Sequence, residues 1–407
     1  MRSEVTTRRT RPRNRRAIIL DAAFDAFAHD GYHDTSMAMV AATVGISPGA
    51  LYRHFDSKQQ LLGQCLLAGL DDALVRLETA YRRSPADDAV VAELVQVALD
   101  RRGLPRLWQL EFRHLHPTDR IAVLLRAARL TEFLRRTLRA QRPELRPADV
   151  ELLSWAAFSV AASPAYHRLE LPPPVAARVL VATARAVLAV ELPANGARAT
   201  HVRAHWAARD RPGLDRTERR ERILAAAAHL FTDYGFPGVS IDDIGAAVGT
   251  TGPAVYHYFD SKAQLLDEIV RRHDEWVHLL VSRALSHGRD PGEALRTLTR
   301  NFARFGVDEP DLLAITVSQT RYLPTAAERR YRQVRQDGIG RWARMLQALR
   351  PELAPPVARM LIRAATTVVI EAVRNPRLAG RPDLVEALVA VAERIQAVPL
   401  EPARPGK

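Results

Sequence analysis

Two stretches of the chain set hydrogen-bonding and cationic side chains behind small ones at helical spacing. They are Ser47-Pro48-Gly49-Ala50-Leu51-Tyr52-Arg53-His54 and, 204 positions later, Thr251-Gly252-Pro253-Ala254-Val255-Tyr256-His257-Tyr258. Leu51 and Phe55 lie i, i+4 and face a core, so Pro48, Gly49, Ala50, Tyr52, Arg53 and His54 are left outward. In the second stretch Val255 and Phe259 face inward, leaving Thr251, Gly252, Pro253, Ala254, Tyr256, His257 and Tyr258 outward. Small residues at the front of a helix let its backbone enter a DNA major groove, where Tyr, Arg and His behind them reach phosphates and base edges. That is recognition chemistry. Catalytic constellations are lacking: the sequence holds no Walker-type glycine loop and no H-E-x-x-H. His201 and His205, and His114-x-His116, lack Cys or carboxylate partners at metal-site spacing, so no metal, cofactor or enzymatic activity is expected.

The elements that position these stretches recur with them. Arg15 to Leu62 and Arg219 to Leu266 align without a gap, agreeing at Ile19/Ile223, Leu20/Leu224, Phe27/Phe231, Gly31/Gly235, Ser36/Ser240, Val44/Val248, Gly45/Gly249, Tyr52/Tyr256, Phe55/Phe259 and the Asp-Ser-Lys at 56–58 and 260–262. A period of this length is the size of a domain pair, so the chain reads as two fused copies of one protein. In each copy an amphipathic helix closes at Gly31 or Gly235. Ser36 or Ser240 caps a short second helix that ends at Gly45 or Gly249, and Ser47 or Thr251 opens the third. Ser240 and Asp243 have the spacing of a capping box, for which Met39 stands in the first copy. Two short helices joined by a tight glycine turn predict a helix-turn-helix with the third helix as reader.

The segment G-I-S-P-G-A-L-Y-R-H-F-D-S-K-Q-Q-L-L (45–62) resembles the DNA-binding signature of the TetR family of one-component repressors, and G-T-T-G-P-A-V-Y-H-Y-F-D-S-K-A-Q-L-L (249–266) resembles it too. The resemblance covers about 48 residues in each half and implies that Tyr52, Tyr256, Lys58 and Lys262 contact phosphates. Thr250 and Pro253 depart from the pattern that Ile46 and Gly49 follow, which makes a silent second reader the alternative. As a whole the chain is similar to tandem double-TetR repressors, one of which controls a mammalian-cell-entry lipid-import operon; the shared Leu-Trp-Gln at 107–109 implies lipid transport or catabolism as the regulated process.

The 407 residues carry a net charge of +13 and a pI of about 10.5, which favours a polyanionic partner. Arg13, Arg15 and Arg16 before the first helix, and Arg219 and Arg220 before the second, are candidate phosphate or minor-groove contacts. The N-terminal segment lacks the apolar core of a secretory signal, and no apolar run is long enough to span a bilayer. The single cysteine, Cys65, suits a reducing cytoplasm and reads as a packing thiol, with a redox sensor as the other reading.

Behind each reader the pattern is helical throughout, giving an all-α fold of two TetR-like units. The expected divisions are 10–62 and 216–266 for the helix-turn-helix domains, 63–192 and 267–400 for helical effector and dimerisation bodies, and 193–215 for a linker. A repeated Arg-Pro-Glu-Leu at 142–145 and 350–353 extends the duplication at an offset of 208. The last two helices of each half are apolar on more than one face and need a partner. By the family resemblance that partner is the other half, making an intrachain pseudo-dimer; a dimer of chains is the alternative. A flexible linker of this length spans roughly 25 to 30 Å. Trp108, Phe112 and Trp155 in the first body and Gln319, Tyr322 and Trp342 in the second are candidate walls of a pocket for a small apolar, lipid-like effector, with Gln109, Glu111 and His114 as further polar contacts. Double-stranded operator DNA is the expected partner, and an architectural DNA-binding protein without a ligand is the rival reading.

Overall fold

The computed structural model describes residues 15–84, 89–193 and 216–400. Arg13 and the rest of the arm before residue 15, and His201 and His205 in the joining segment, lie outside the described residues. The first half contains α1 (Arg15–Asp34), α2 (Met37–Thr43), α3 (Pro48–Tyr52), α4 (Lys58–Arg83), α5 (Ala89–Asp100), α6 (Gly103–Glu111), α7 (Pro117–Gln141), α8 (Pro147–Ala162) and α9 (Pro173–Leu188). The second half contains α10 (Arg216–Tyr234), α11 (Ile241–Ala247), α12 (Gly252–Val255), α13 (Lys262–His287), α14 (Pro291–Asp308), α15 (Pro310–Ser318), α16 (Thr325–Leu349), α17 (Pro355–Arg374), α18 (Pro376–Ala379) and α19 (Leu384–Gln396). Short 3₁₀ turns follow α6 at Phe112–His114, α8 at Ser163–Tyr166 and α15 at Thr320–Tyr322. Among the described residues there is no strand. Proline supplies the first residue of α3, α7, α8, α9, α14, α15 and α17, where its missing N–H would have had no intrahelical acceptor.

The turns repeat in register. Gly31, Gly45, Gly235 and Gly249 take φ of 84°, 66°, 76° and 69°, a left-handed conformation that costs any other residue a Cβ clash. Ser36, Ser47, Ser240 and Thr251 each accept a hydrogen bond from the amide three residues on, and Asp243 completes the capping box.

The chain divides into two compact units that do not follow the repeat boundary: residues 1–78 with 100–130, and residues 79–99 with 131–407. In the first unit Ile19, Phe27, Leu51, Phe55 and Leu61 are buried together in the core of the first helix-turn-helix. Helix α6 packs on α1 because Gly103 has no side chain; a Cβ there would lie 2.9 Å from that of Ala28. Cys65 is buried in this unit with its thiol 3.4 Å from the carbonyl of Leu20, and burial pushes its pKa up, which suits packing and not redox sensing.

The second unit holds the second half together with α8 and α9. Helix α8 packs on α17 and α9 on α19, while α8 also packs on α9 and α17 on α19, so the last long helices of the two halves close on one another inside one chain. Charged pairs border this seam. The Arg381 guanidinium donates to Asp149 Oδ1 (2.6 Å) and to the carbonyl of Ala148 (2.9 Å), with both charged side chains 7% exposed. Glu170 accepts from Arg359 Nε (2.8 Å) and Arg363 Nη1 (2.9 Å). Burial alone would push the Asp149 and Glu170 carboxyls up, yet their arginine partners hold both below the ordinary range. In each half the arginine of Arg-Pro-Glu-Leu caps the last helix: Arg142 donates to the carbonyls of Leu188 and Val190, and Arg350 to those of Gln396 and Val398. A cation there complements the negative end of the helix dipole.

Candidate nucleic-acid interface

In the first reader, Ser47, Pro48, Gly49, Tyr52, Arg53 and His54 form an exposed face on and just beyond α3. Tyr52 is 50% exposed, and nothing lies within 4 Å of a Cβ built on Gly49, so a groove wall could approach the backbone there. Ala50 is half-buried and Ser36 acts as a cap. Arg15 is exposed, whereas Arg16 donates to Gln64 (3.0 Å) and lies over the Phe55 ring at 5.3 Å.

The second reader repeats the frame with a different face. Thr251, Pro253, Tyr256 and His257 are exposed, Tyr256 by 53%, while Ala254 and Tyr258 are half-buried. Gly252 does not face outward as its sequence position suggests: it is buried against Asp242, which a Cβ would strike. Gly245 is as tight, with a Cβ position 2.8 Å from the Thr251 carbonyl carbon, so α11 and α12 approach more closely than any side chain would allow. Asp242 and Asp243 give α11 two exposed acids where α2 carries Ala38 and Met39. Arg219 is exposed, but Arg220 is held by Glu268 (3.2 Å) over the Phe259 ring (4.8 Å), repeating the Arg16–Phe55 contact.

Lys58 and Lys262 both turn back onto the backbone of their own reader. The Lys58 ammonium donates to the carbonyls of Tyr32 (2.7 Å), Thr35 (2.9 Å) and His33 (3.3 Å) and sits 4.4 Å from the Tyr32 ring centroid. Lys262 donates to the carbonyls of Phe236 and Val239, both at 2.8 Å, over the Phe236 ring. An ammonium has three donors. Lys58 gives all three to backbone carbonyls and Lys262 two, so both lysines clamp the loop between the first two helices. Desolvation lowers the pKa of each.

The clamp continues into the body behind each reader. Tyr32 stacks on His114 (4.7 Å), and Phe236 stacks on Tyr322 (5.3 Å). Gln59 donates to the His114 carbonyl (2.9 Å), and Gln319 accepts from the amide of Phe236 (3.0 Å). His114, Gln319 and Tyr322, read from sequence as pocket residues, thus join body to reader. Glu111 is buried with Oε2 3.6 Å from His114 Nε2. Trp108 and Phe112 are half-buried, and Trp155 stacks on Phe158 within α8. Of the proposed pocket residues Trp342 alone lines a cavity described below. The cap geometry that closes both loops was legible in the sequence, whereas the carbonyl clamps join residues 23 to 26 positions apart and left no local pattern.

Two short helices set across a left-handed glycine turn, with a third carrying Tyr at its exposed face, define a helix-turn-helix DNA-binding domain, present twice. The model of the bacterial regulatory proteins, tetR family, matches residues 19–65 and again 223–269. Each of these two segments is accordingly a tetR-family DNA-binding domain, and the domain occurs in tandem. It is similar to the HTH-type transcriptional activator FasR of Mycolicibacterium smegmatis, 33% identical over 92 residues that make up 23% of this chain and 42% of the relative. It is also similar to the HTH-type transcriptional regulator UidR of Escherichia coli, 32% identical over 103 residues, 25% of this chain and 49% of the relative. The chain thus spans about half the length of these curated relatives. Among solved structures, the ketosteroid transcriptional regulator KstR2 of Mycobacterium tuberculosis aligns with a TM-score of 0.41 at 20% identity, covering 48% of this chain and 100% of that one.

Proposed function

We propose that the chain is a DNA-binding transcriptional regulator that works as a pseudo-dimer, holding two unlike readers on an asymmetric operator and releasing it when a small effector binds. The observation that carries this reading is the seam of α8 and α9 with α17 and α19, which brings together, within one chain, the helices a dimer would use. The closest ion pairs across that seam also sort by half, a longer Arg146–Asp383 contact at 3.9 Å running the other way. The first half contributes Asp149 and Glu170, the second Arg359, Arg363 and Arg381. At the offset of 208 these fall opposite Val357, Leu378, Glu151, Trp155 and Pro173, so no pair has a symmetric copy. Two first halves, or two second halves, would lack these pairs: Glu170 would lose both its arginines, while Asp149 would keep only Arg146 and Arg381 only Asp383.

The readers contribute the DNA-facing chemistry: Tyr52, Arg53, His54 and Gly49 in one, Tyr256, His257, Thr251 and Pro253 in the other. Regulation follows if the effector favours the DNA-free arrangement, since a ligand shifts an equilibrium only by its differential affinity. The test is binding of the purified chain to the DNA upstream of its own gene with Tyr52→Ala and Tyr256→Ala compared. Loss of affinity in both variants supports two engaged readers. Loss in Tyr52→Ala alone would leave the second reader silent.

A further inference from the structure

Inside the second body lies a cavity of about 90 Å³. One water needs only about 10 to 15 Å³, and cavities near 150 Å³ admit benzene, so an occupant of this one is compact. Its walls are apolar and aromatic, among them Val277, Leu298, Phe302, Tyr331, Trp342 and Ile370. Phe302 and Trp342 meet edge to face at 5.5 Å. The Tyr331 hydroxyl is already satisfied, donating to the Thr316 carbonyl at 3.0 Å.

Asp274 is different. It lines this cavity at 6% exposure, its Oδ1 is 3.3 Å from His273 Nδ1, and its buried Oδ2 has no hydrogen-bond partner. Trp342 Nε1 is a second buried polar atom without one. Buried polar groups are satisfied as a rule, and a buried carboxylate most of all. The two arginines that reach the cavity are engaged elsewhere: Arg363 by Glu170 across the seam, and Arg335 by the Tyr331 hydroxyl.

We propose that this cavity binds a compact organic amine, its ammonium on Asp274 Oδ2 and its hydrocarbon part against Phe302 and Trp342. A carboxylate oxygen lacking a donor, set among aromatic faces, favours a cation over a neutral or anionic head. The site also belongs to both halves. Tyr166 and His167, from the 3₁₀ turn after α8, complete its wall, and His167 Nδ1 lies 3.3 Å from Arg363 Nη1. Occupancy therefore bears directly on the seam, which makes the amine the effector of the regulator proposed above; the site itself rests on the cavity alone.

The probes are isobutylamine, isobutanol and isobutyrate, which share a carbon skeleton and differ in the head. Each is titrated into the full chain by ligand-observed NMR. Isobutylamine is expected to bind at least tenfold more tightly than isobutanol, with isobutyrate weakest, and Asp274→Asn to bring the amine down to the alcohol. Gly338 lines the cavity, and a Cβ built there meets only Val277, at 3.7 Å, so Gly338→Val should fill the space and abolish binding in a chain that still melts cooperatively. Equal binding of the three heads, preference for isobutyrate, or no binding of the amine would overturn the proposal. Operator affinity measured in the same samples separates the two readings. Amine binding that leaves DNA affinity unchanged keeps the site and removes effector release, whereas intact DNA binding with no amine bound removes the site alone.

Discussion

The two halves share what holds a reader together and differ in what it presents. Both have the left-handed glycines, the lysine clamp on backbone carbonyls, the arginine over a buried phenylalanine and the ring stack into the body. They part on the exposed face, where Gly49, Arg53 and His54 are replaced by Pro253, His257 and a half-buried Tyr258, and where α11 adds Asp242 and Asp243. They part again at the seam, where the closest ion pairs set Asp149 and Glu170 of the first half against arginines of the second. The two copies agree in the parts that fix the backbone and differ on the exposed reader face and at the seam.

The largest effect is expected where that divergence binds the halves together. Replacing Asp149 by Ala leaves the buried Arg381 with Asp383 alone and should destabilise the second unit by about 3 kcal/mol, read by chemical denaturation, with Asp149→Ala/Arg381→Ala costing less than the sum of the two single changes. The same pairs set a pH limit. Carboxyls held below their ordinary range stabilise the fold above their unfolded pKa and lose that contribution as pH falls through the folded one. Thermal stability should hold from neutral pH to about pH 5 and fall below about pH 4, and Asp149→Asn should flatten that fall.

Next in size are the clamps. Lys58→Met should cost about 1.5–3 kcal/mol of local stability, seen as faster amide exchange between Gly31 and Ser36, and Lys262→Met should do the same around Gly235. If either instead lowered the salt dependence of DNA binding without loosening its loop, the lysine would be a phosphate contact after all.

The face itself comes third. Arg53→Ala should weaken operator binding by about 1–3 kcal/mol, and Asp242→Asn should strengthen it slightly by removing a negative charge from the second reader. The smallest effects are expected at the caps of the last helices, where Arg142→Ala and Arg350→Ala should each cost up to about 1 kcal/mol and cost alike, since their contacts are alike.

What could be read in advance was what local spacing encodes. Gly45 and Gly249 must end a helix, Ser36 and Ser240 must begin one, and Pro355 opens α17 where the pattern placed it. Long-range partners were not legible. Arg381 and Asp149 are 232 residues apart, and Gln319 reaches back 83 residues to Phe236. Gly252 has a conventional position at the start of a reader, and only the Asp242 side chain across the turn explains why it is buried. Aromatic residues at helical spacing serve packing or reader contacts as readily as a cavity: of those read as pocket walls, Trp342 lines the cavity and Tyr322 stacks on Phe236.

The most direct measurement is footprinting of the purified chain on the DNA upstream of its own gene, at about 150 mM salt, with the mass of the complex determined in parallel. One 45.3 kDa chain protecting two unlike half-sites is the expected result. A palindrome covered by two chains, or protection of a single half-site, would contradict an intrachain pair of working readers.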